Sequence, residues 1–122
     1  MDVAHVALCV SDLDRALEFY GAIGLEEHNR FELNGVTNVY VGDEHGELQL
    51  RYDPDRTTPI APNRADMDHV GLEVEDVEGT YEDALDAGAS TVLEPQTVEA
   101  ADAYVAFVED PEGYTVEFFE WV

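Results

Sequence analysis

The segment His5-Val6-Ala7-Leu8-Cys9-Val10, followed by the acidic Ser11-Asp12-Leu13-Asp14, returns later as His69-Val70-Gly71-Leu72-Glu73-Val74 and Glu75-Asp76-Val77-Glu78. Each copy closes on a polar residue inside an apolar strand: Gln49 in Leu48-Gln49-Leu50, and Glu117 in Val116-Glu117-Phe118. The histidines are 64 residues apart and the closing residues 68. Two tandem modules of one topology follow from this repeat, and they would gather four such side chains about a pseudo-twofold axis.

A chain of 122 residues fits one domain. Half of it, about 55 to 60 residues, has only a marginal core of its own, so the modules are expected to share a sheet or to pair with another chain. Charge is the outlier: 29 acidic residues face five bases, all of them arginine, for a formal net charge of −24. Such a surface repels itself in dilute buffer, whereas molar salt cuts the Debye length to roughly 3 Å and removes most of that cost. A cytoplasmic protein of a salt-accumulating cell is the expectation. Disorder is excluded by a hydrophobic fraction of 45% that recurs with clear period.

The same charge argues against nucleic acid and anionic membranes, which are held mainly by Lys and Arg. Cys9 is the single cysteine, so no intramolecular disulfide can form and a reducing compartment fits. Neither a signal peptide nor a transmembrane span is expected, since the start of the chain lacks a basic region and a long apolar run.

Val6, Leu8 and Val10 alternate with His5, Ala7 and Cys9, the period of a half-buried strand with the histidine on the face away from the core. From Asp12 as N-cap, Leu13, Ala16, Leu17, Tyr20 and Ile23 keep helical spacing until Gly24 stops the helix. A strand near Leu25 to Phe31 and a hairpin of Val36 to Val41 with Glu47 to Tyr52 complete a βαβββ module. The second module repeats the order, with a helix from Val77 ending at Gly88, a short strand at Thr91 to Leu93, and a hairpin of Tyr104 to Val108 with Tyr114 to Trp121. That hairpin turns at Asp110-Pro111-Glu112-Gly113. The expected organisation is one domain, with module one at 1–53, a proline-bearing linker at 54–67 and module two at 68–122.

Two imidazoles, one amide and one carboxylate at His5, Gln49, His69 and Glu117 form a mixed nitrogen and oxygen set. It suits one divalent ion, Ni²⁺, Co²⁺, Zn²⁺, Mn²⁺ or Fe²⁺, with water completing the shell. Taken singly, each has an ordinary reading as a packed or exposed strand residue; the four matched positions together favour a metal site. Glu117 shares its face with Thr115, Phe119 and Trp121, a partly apolar setting in which a carboxylate needs a metal or a hydrogen-bond partner.

His5-Val6-x-Leu8-x-Val10 with Phe19-Tyr20 and Gly24-Leu25 resembles the opening signature of glyoxalase I, and Phe107 to Tyr114 with Glu117 resembles its close. Over essentially its whole length the chain is similar to the vicinal oxygen chelate superfamily, which includes glyoxalase I, methylmalonyl-CoA epimerase, extradiol dioxygenases and bleomycin resistance proteins. The resemblance implies an α+β fold, two tandem βαβββ modules forming a cupped mixed sheet. It puts the family's four metal positions on His5, Gln49, His69 and Glu117. It also implies a small-molecule substrate and a homodimer.

By the same resemblance the function is that of a metal-dependent glyoxalase I-like lyase or isomerase. Its substrate would be a small α-hydroxycarbonyl or thiol hemithioacetal, converted through an enediolate with Glu117 as base. Gln49 stands where bacterial-type glyoxalase I carries glutamate, and an amide takes no proton. Cys9 and Asp53 stand where glutathione-using members carry arginine and asparagine, which disfavours a glutathione adduct. Arg51, Arg56 and Arg64 are candidate anion contacts. The His, Gln, His, Glu set resembles the epimerases, but Asn38 stands where they carry a second carboxylate. His5, His69 and Glu117 match a dioxygenase facial triad, with His28 and His45 as spare histidines. A ligand-sequestering protein without turnover would line its cleft with Phe31, Tyr40, Phe119 and Trp121.

Overall fold

Asp12 and Asp76, matching residues of the two repeats, each cap a helix: Asp12 accepts from the Arg15 N–H at 3.0 Å and Asp76 from the Gly79 N–H at 3.1 Å. Caps of this kind stabilise a helix by about 1 kcal/mol each. The helices they start are α1 (Leu13–Ala22) and α2 (Val77–Asp86). Both end alike. At Gly24 (φ 103°) and Gly88 (φ 107°) the backbone turns left-handed, and the following residue donates back into the last turn, Leu25 to Tyr20 and Ala89 to Ala84.

The computed structural model describes residues 1–62 and 66–122; Arg64 lies outside them. The chain divides into two compact units, Met1–Ile60 and Ala61–Val122.

In the first unit, strands β1 (His5–Cys9), β2 (Glu26–Leu33), β3 (Val36–Asp43) and β4 (Gly46–Tyr52) form one sheet in the order β1-β4-β3-β2. β1 runs parallel to β4 and the other pairs are antiparallel. Ala16, Phe19 and Tyr20 of α1 are buried, as are Leu8, Val39, Val41, Leu48 and Leu50, which the register puts on one face of the sheet. Burying one such Leu or Phe side chain stabilises the fold by about 1.5–3 kcal/mol.

The second unit repeats this plan with β5 (Val70–Glu73), β6 (Ser90–Val98), β7 (Ala103–Glu109) and β8 (Thr115–Trp121) in the order β5-β8-β7-β6, β5 being parallel to β8. Val77, Tyr81 and Ala84 of α2 are buried, with Val70, Ala106, Val108, Val116 and Phe118 supplying the core face of the sheet. Each unit is thus a βαβββ module, and the fold is α+β as expected. The ladders form two four-stranded mixed sheets, one per module, in place of a sheet shared between modules.

β5 and β6 depart from the expected boundaries in ways that bear on the site and its sheet, and one turn was not expected. β5 begins at Val70, leaving His69 just outside the strand. β6 is nine residues long and passes through Pro95, with its register shifted between Leu93 and Gln96. A single 3₁₀ turn, Glu99–Ala101, follows it and ends on Asp102 in a left-handed conformation.

Candidate metal centre

The core side chains of each sheet face its helix, and the opposite face is free to carry chemistry. In the first unit β1 and β4 are in register with Ala7 opposite Gln49 and His5 opposite Glu47. His5, Ala7, Cys9, Glu47, Gln49 and Arg51 therefore share one face, joined across β3 by Tyr40 opposite Gln49 and Asn38 opposite Arg51. The His5 ring meets Tyr40 edge to face at 5.3 Å, and Phe31 stacks on the far side of Tyr40 at 6.1 Å.

Asn38 organises this face. It is 4% exposed, and its Oδ1 accepts from Gln49 Nε2 at 2.8 Å and from Arg51 Nε at 3.4 Å. Its own amide nitrogen donates to the Val36 carbonyl at 3.2 Å, which fixes the amide the other way round to any donor role toward Gln49. With its nitrogen committed to Asn38, Gln49 presents its oxygen as the remaining donor atom, the one a hard divalent ion accepts.

The second unit repeats the arrangement in the same register. Gly71 stands opposite Glu117, and Phe107 pairs with Glu117 as Tyr40 pairs with Gln49. The His69 ring meets Phe107 edge to face at 5.2 Å. His69 Nδ1 lies 2.7 Å from the Asp68 carboxylate, and its Nε2 lies 3.5 Å from Glu117 Oε1. A carboxylate on Nδ1 fixes the imidazole with its proton there and leaves the Nε2 lone pair directed at the site, the usual support of a metal-binding histidine. Phe119 and Trp121 continue the face, their rings edge to face at 5.3 Å.

The structure thus brings His69 and Glu117 together, and puts His5 and Gln49 on one face of one sheet. Among the described residues no group of three or more His, Cys, Asp or Glu side chains converges as a metal-binding cluster. The donor chemistry of each pair, an imidazole beside an oxygen donor with both oriented by neighbouring side chains, fits a divalent ion.

The other sequence candidates fall into place locally. Cys9 is half-buried and opposite Arg51. Asp53 caps a turn, its carboxylate accepting from the Asp55 N–H at 2.9 Å, and Arg56 donates to the Thr58 carbonyl at 2.8 Å. His28 and His45 sit beside Glu47 and Glu44, at 3.4 and 3.6 Å. Sequence reading missed Asp68, whose adjacency to His69 was the one available signal, and it read Asn38 only as a missing carboxylate.

Comparison with known proteins places the fold in a family. Residues 2–118 match the model of the Glyoxalase/Bleomycin resistance protein/Dioxygenase superfamily. The lactoylglutathione lyase of Haemophilus influenzae is 30% identical over 98% of this chain and 93% of that enzyme. A probable lactoylglutathione lyase of Synechocystis is 29% identical over 98% and 95%. Glyoxalase I from Zea mays superposes with a TM-score of 0.76 at 21% identity, over 97% of this chain and 44% of that one, a likeness of fold. With a family match across nearly its whole length and the same two-module architecture, the chain belongs to the glyoxalase/bleomycin resistance protein/dioxygenase superfamily.

Proposed function

We propose that this protein is a metal-dependent lyase of glyoxalase I type that isomerises the hemithioacetal of a small 2-oxoaldehyde, or a similar α-hydroxycarbonyl, with Glu117 as its single base. The observation that carries this reading is the line Asp68, His69, Glu117: an imidazole held by one carboxylate on Nδ1 and facing another across Nε2. The full-length relatives named lactoylglutathione lyase support it at the level of the family.

In this reading His5, Gln49, His69 and Glu117 hold one divalent ion. When bound, that ion supplies Lewis-acid stabilisation of the two neighbouring substrate oxygens as the C–H proton leaves, worth several kcal/mol. Glu117 takes the proton from the carbon bearing the hydroxyl and thiol substituents and returns it to the adjacent carbon. The hydroxyl proton moves in the same sense, from the oxygen of that carbon to the ketone oxygen, so the ketone becomes an alcohol, the former hydroxyl carbon becomes a thioester carbonyl, and no oxidant is required. Gln49 occupies the matching position of module one but takes no proton, so removal and return both occur on the Glu117 side.

Asn38 speaks against the epimerase alternative, because its amide oxygen is occupied by Gln49 and Arg51 and it offers no second acid on the opposite face. Cys9 and Asp53 stand where the family resemblance implies an arginine and an asparagine for glutathione, and neither supplies that contact, which favours a thiol adduct other than that of glutathione. The same reading keeps residues 1–53 and 68–122 as halves of one domain, and has the chain act as a homodimer in the cytoplasm of a salt-accumulating cell, in keeping with its charge of −24.

The test is Glu117→Gln, assayed with hemithioacetals of a 2-oxoaldehyde and either glutathione or a small thiol. Wild-type turnover with the small thiol, and a loss of at least about 100-fold in the variant, is expected; full turnover in the variant removes Glu117 as the base.

A further inference from the structure

Arg51 stands two residues beyond Gln49 on β4, on the same face. On a chain of net charge −24 an exposed arginine would be expected to find a carboxylate. Arg30 does so, pairing with Glu27 at 2.8 Å. Arg51 does not: among the described residues its one polar contact is the neutral Asn38 oxygen, at 3.4 Å from Nε. The residue opposite it on β1 is Cys9, and that opposite it on β3 is Asn38, both neutral. The buried Asn38 amide ties Arg51 to Gln49, since one oxygen accepts from both. Holding Nε in this way leaves the two terminal nitrogens to donate in the fork that matches a carboxylate.

From this we infer that Arg51 is a specificity-determining residue whose guanidinium binds a carboxylate carried by the substrate, beside the Gln49 amide oxygen. The inference rests on the proposed metal centre and names the substrate class: a vicinal-oxygen compound or thiol adduct bearing a separate carboxylate. Residues i and i+2 of a strand are roughly 7 Å apart, so the carboxylate lies a few bonds from the reacting carbons. With a neutral residue opposite it on each neighbouring strand and no carboxylate paired to it among the described residues, Arg51 keeps its charge for the ligand.

Two probes separate the possibilities: the monohydroxamate of succinic acid, with two vicinal oxygens and a carboxylate, and its analogue with the carboxylate replaced by an amide. Titration calorimetry on wild type and Arg51→Met, with metal content measured on the same samples, gives both affinities. Wild type is expected to prefer the carboxylate probe by about tenfold or more, and Arg51→Met to bind both within about twofold while keeping its metal and its affinity for the amide probe. No preference in the wild type, or an undiminished preference in Arg51→Met, overturns the inference. Protein that takes up no metal but keeps an Arg51-dependent preference upholds the anion site and removes the metal reading. Protein that takes up no metal and binds neither probe removes both.

Discussion

Gly71 lies directly across from Glu117 in the β5–β8 pair, and a Cβ placed on it would come within 3.3 Å of Glu117 Oε1 and 3.7 Å of the Phe119 ring. In the first module the matching position is Ala7, opposite Gln49. The second module thus omits one methyl group where its carboxylate sits. Gly71→Val, with two further carbons on that Cβ, would displace Glu117 from His69. A loss of turnover of about tenfold to 100-fold is expected with the fold intact by circular dichroism, since misplacement by about 1 Å carries costs of that order. Unchanged turnover would mean the position of Glu117 is not critical.

Asp68 orients His69 through a contact on Nδ1 at 2.7 Å. Removing it in Asp68→Ala frees the ring and its tautomer, and the expected effect is about 10- to 100-fold weaker metal affinity, read by competition with a chromophoric chelator. Thermal stability should change little, because the Asp68 side chain is 90% exposed. Equal metal affinity in the variant would reduce the Asp68 contact to an incidental one.

Asp110 is 6% exposed, and its Oδ1 accepts from the backbone N–H groups of Glu112, Gly113 and Tyr114 at 3.0, 2.8 and 2.8 Å. This turn sets the β7–β8 register and with it the position of Glu117 opposite Phe107. Asp110→Ala removes this shared acceptor, while the Gly113 N–H keeps the Asp110 carbonyl at 2.9 Å, and should cost about 1–3 kcal/mol in urea unfolding. A cost under about 0.5 kcal/mol would show that the turn holds without its side chain.

The net charge of −24 makes stability depend on screening. Raising ionic strength from about 0.1 M to about 1 M shortens the Debye length from about 10 Å to about 3 Å. The melting temperature should therefore rise steeply with KCl. A flat or falling profile in scanning calorimetry would show that self-repulsion is not what limits this fold.

The elements with strong local chemistry were legible in the sequence. Asp12 as a cap, Gly24 and Gly88 as stops, and the turn at Asp110 to Gly113 all form as their residue types dictate, and the structure adds Asp76 as the matching cap of module two. The full lengths of β2 and β6 were not legible. β2 is charge-rich and exposed along its length, so it carries no alternation to read, and its order comes from pairing with β3. β6 contains Pro95, which argues against a strand; as an edge strand with an irregular register it accommodates the missing N–H. Of the candidate site, the repeat exposed His5, Gln49, His69 and Glu117, because matched positions in matched modules are a sequence property. The contacts that orient them, Asn38 on Gln49 and Asp68 on His69, depend on strand register and side-chain rotamer, which no local pattern encodes.

The most direct test of the central claim is elemental mass spectrometry of untagged protein purified without chelator in molar KCl, beside the double variant His5→Ala, His69→Ala. About one divalent ion per chain is expected in the wild type and none in the variant. A wild-type protein that contains no metal and takes up none on addition, or a double variant that retains it in full, would contradict the four-residue centre.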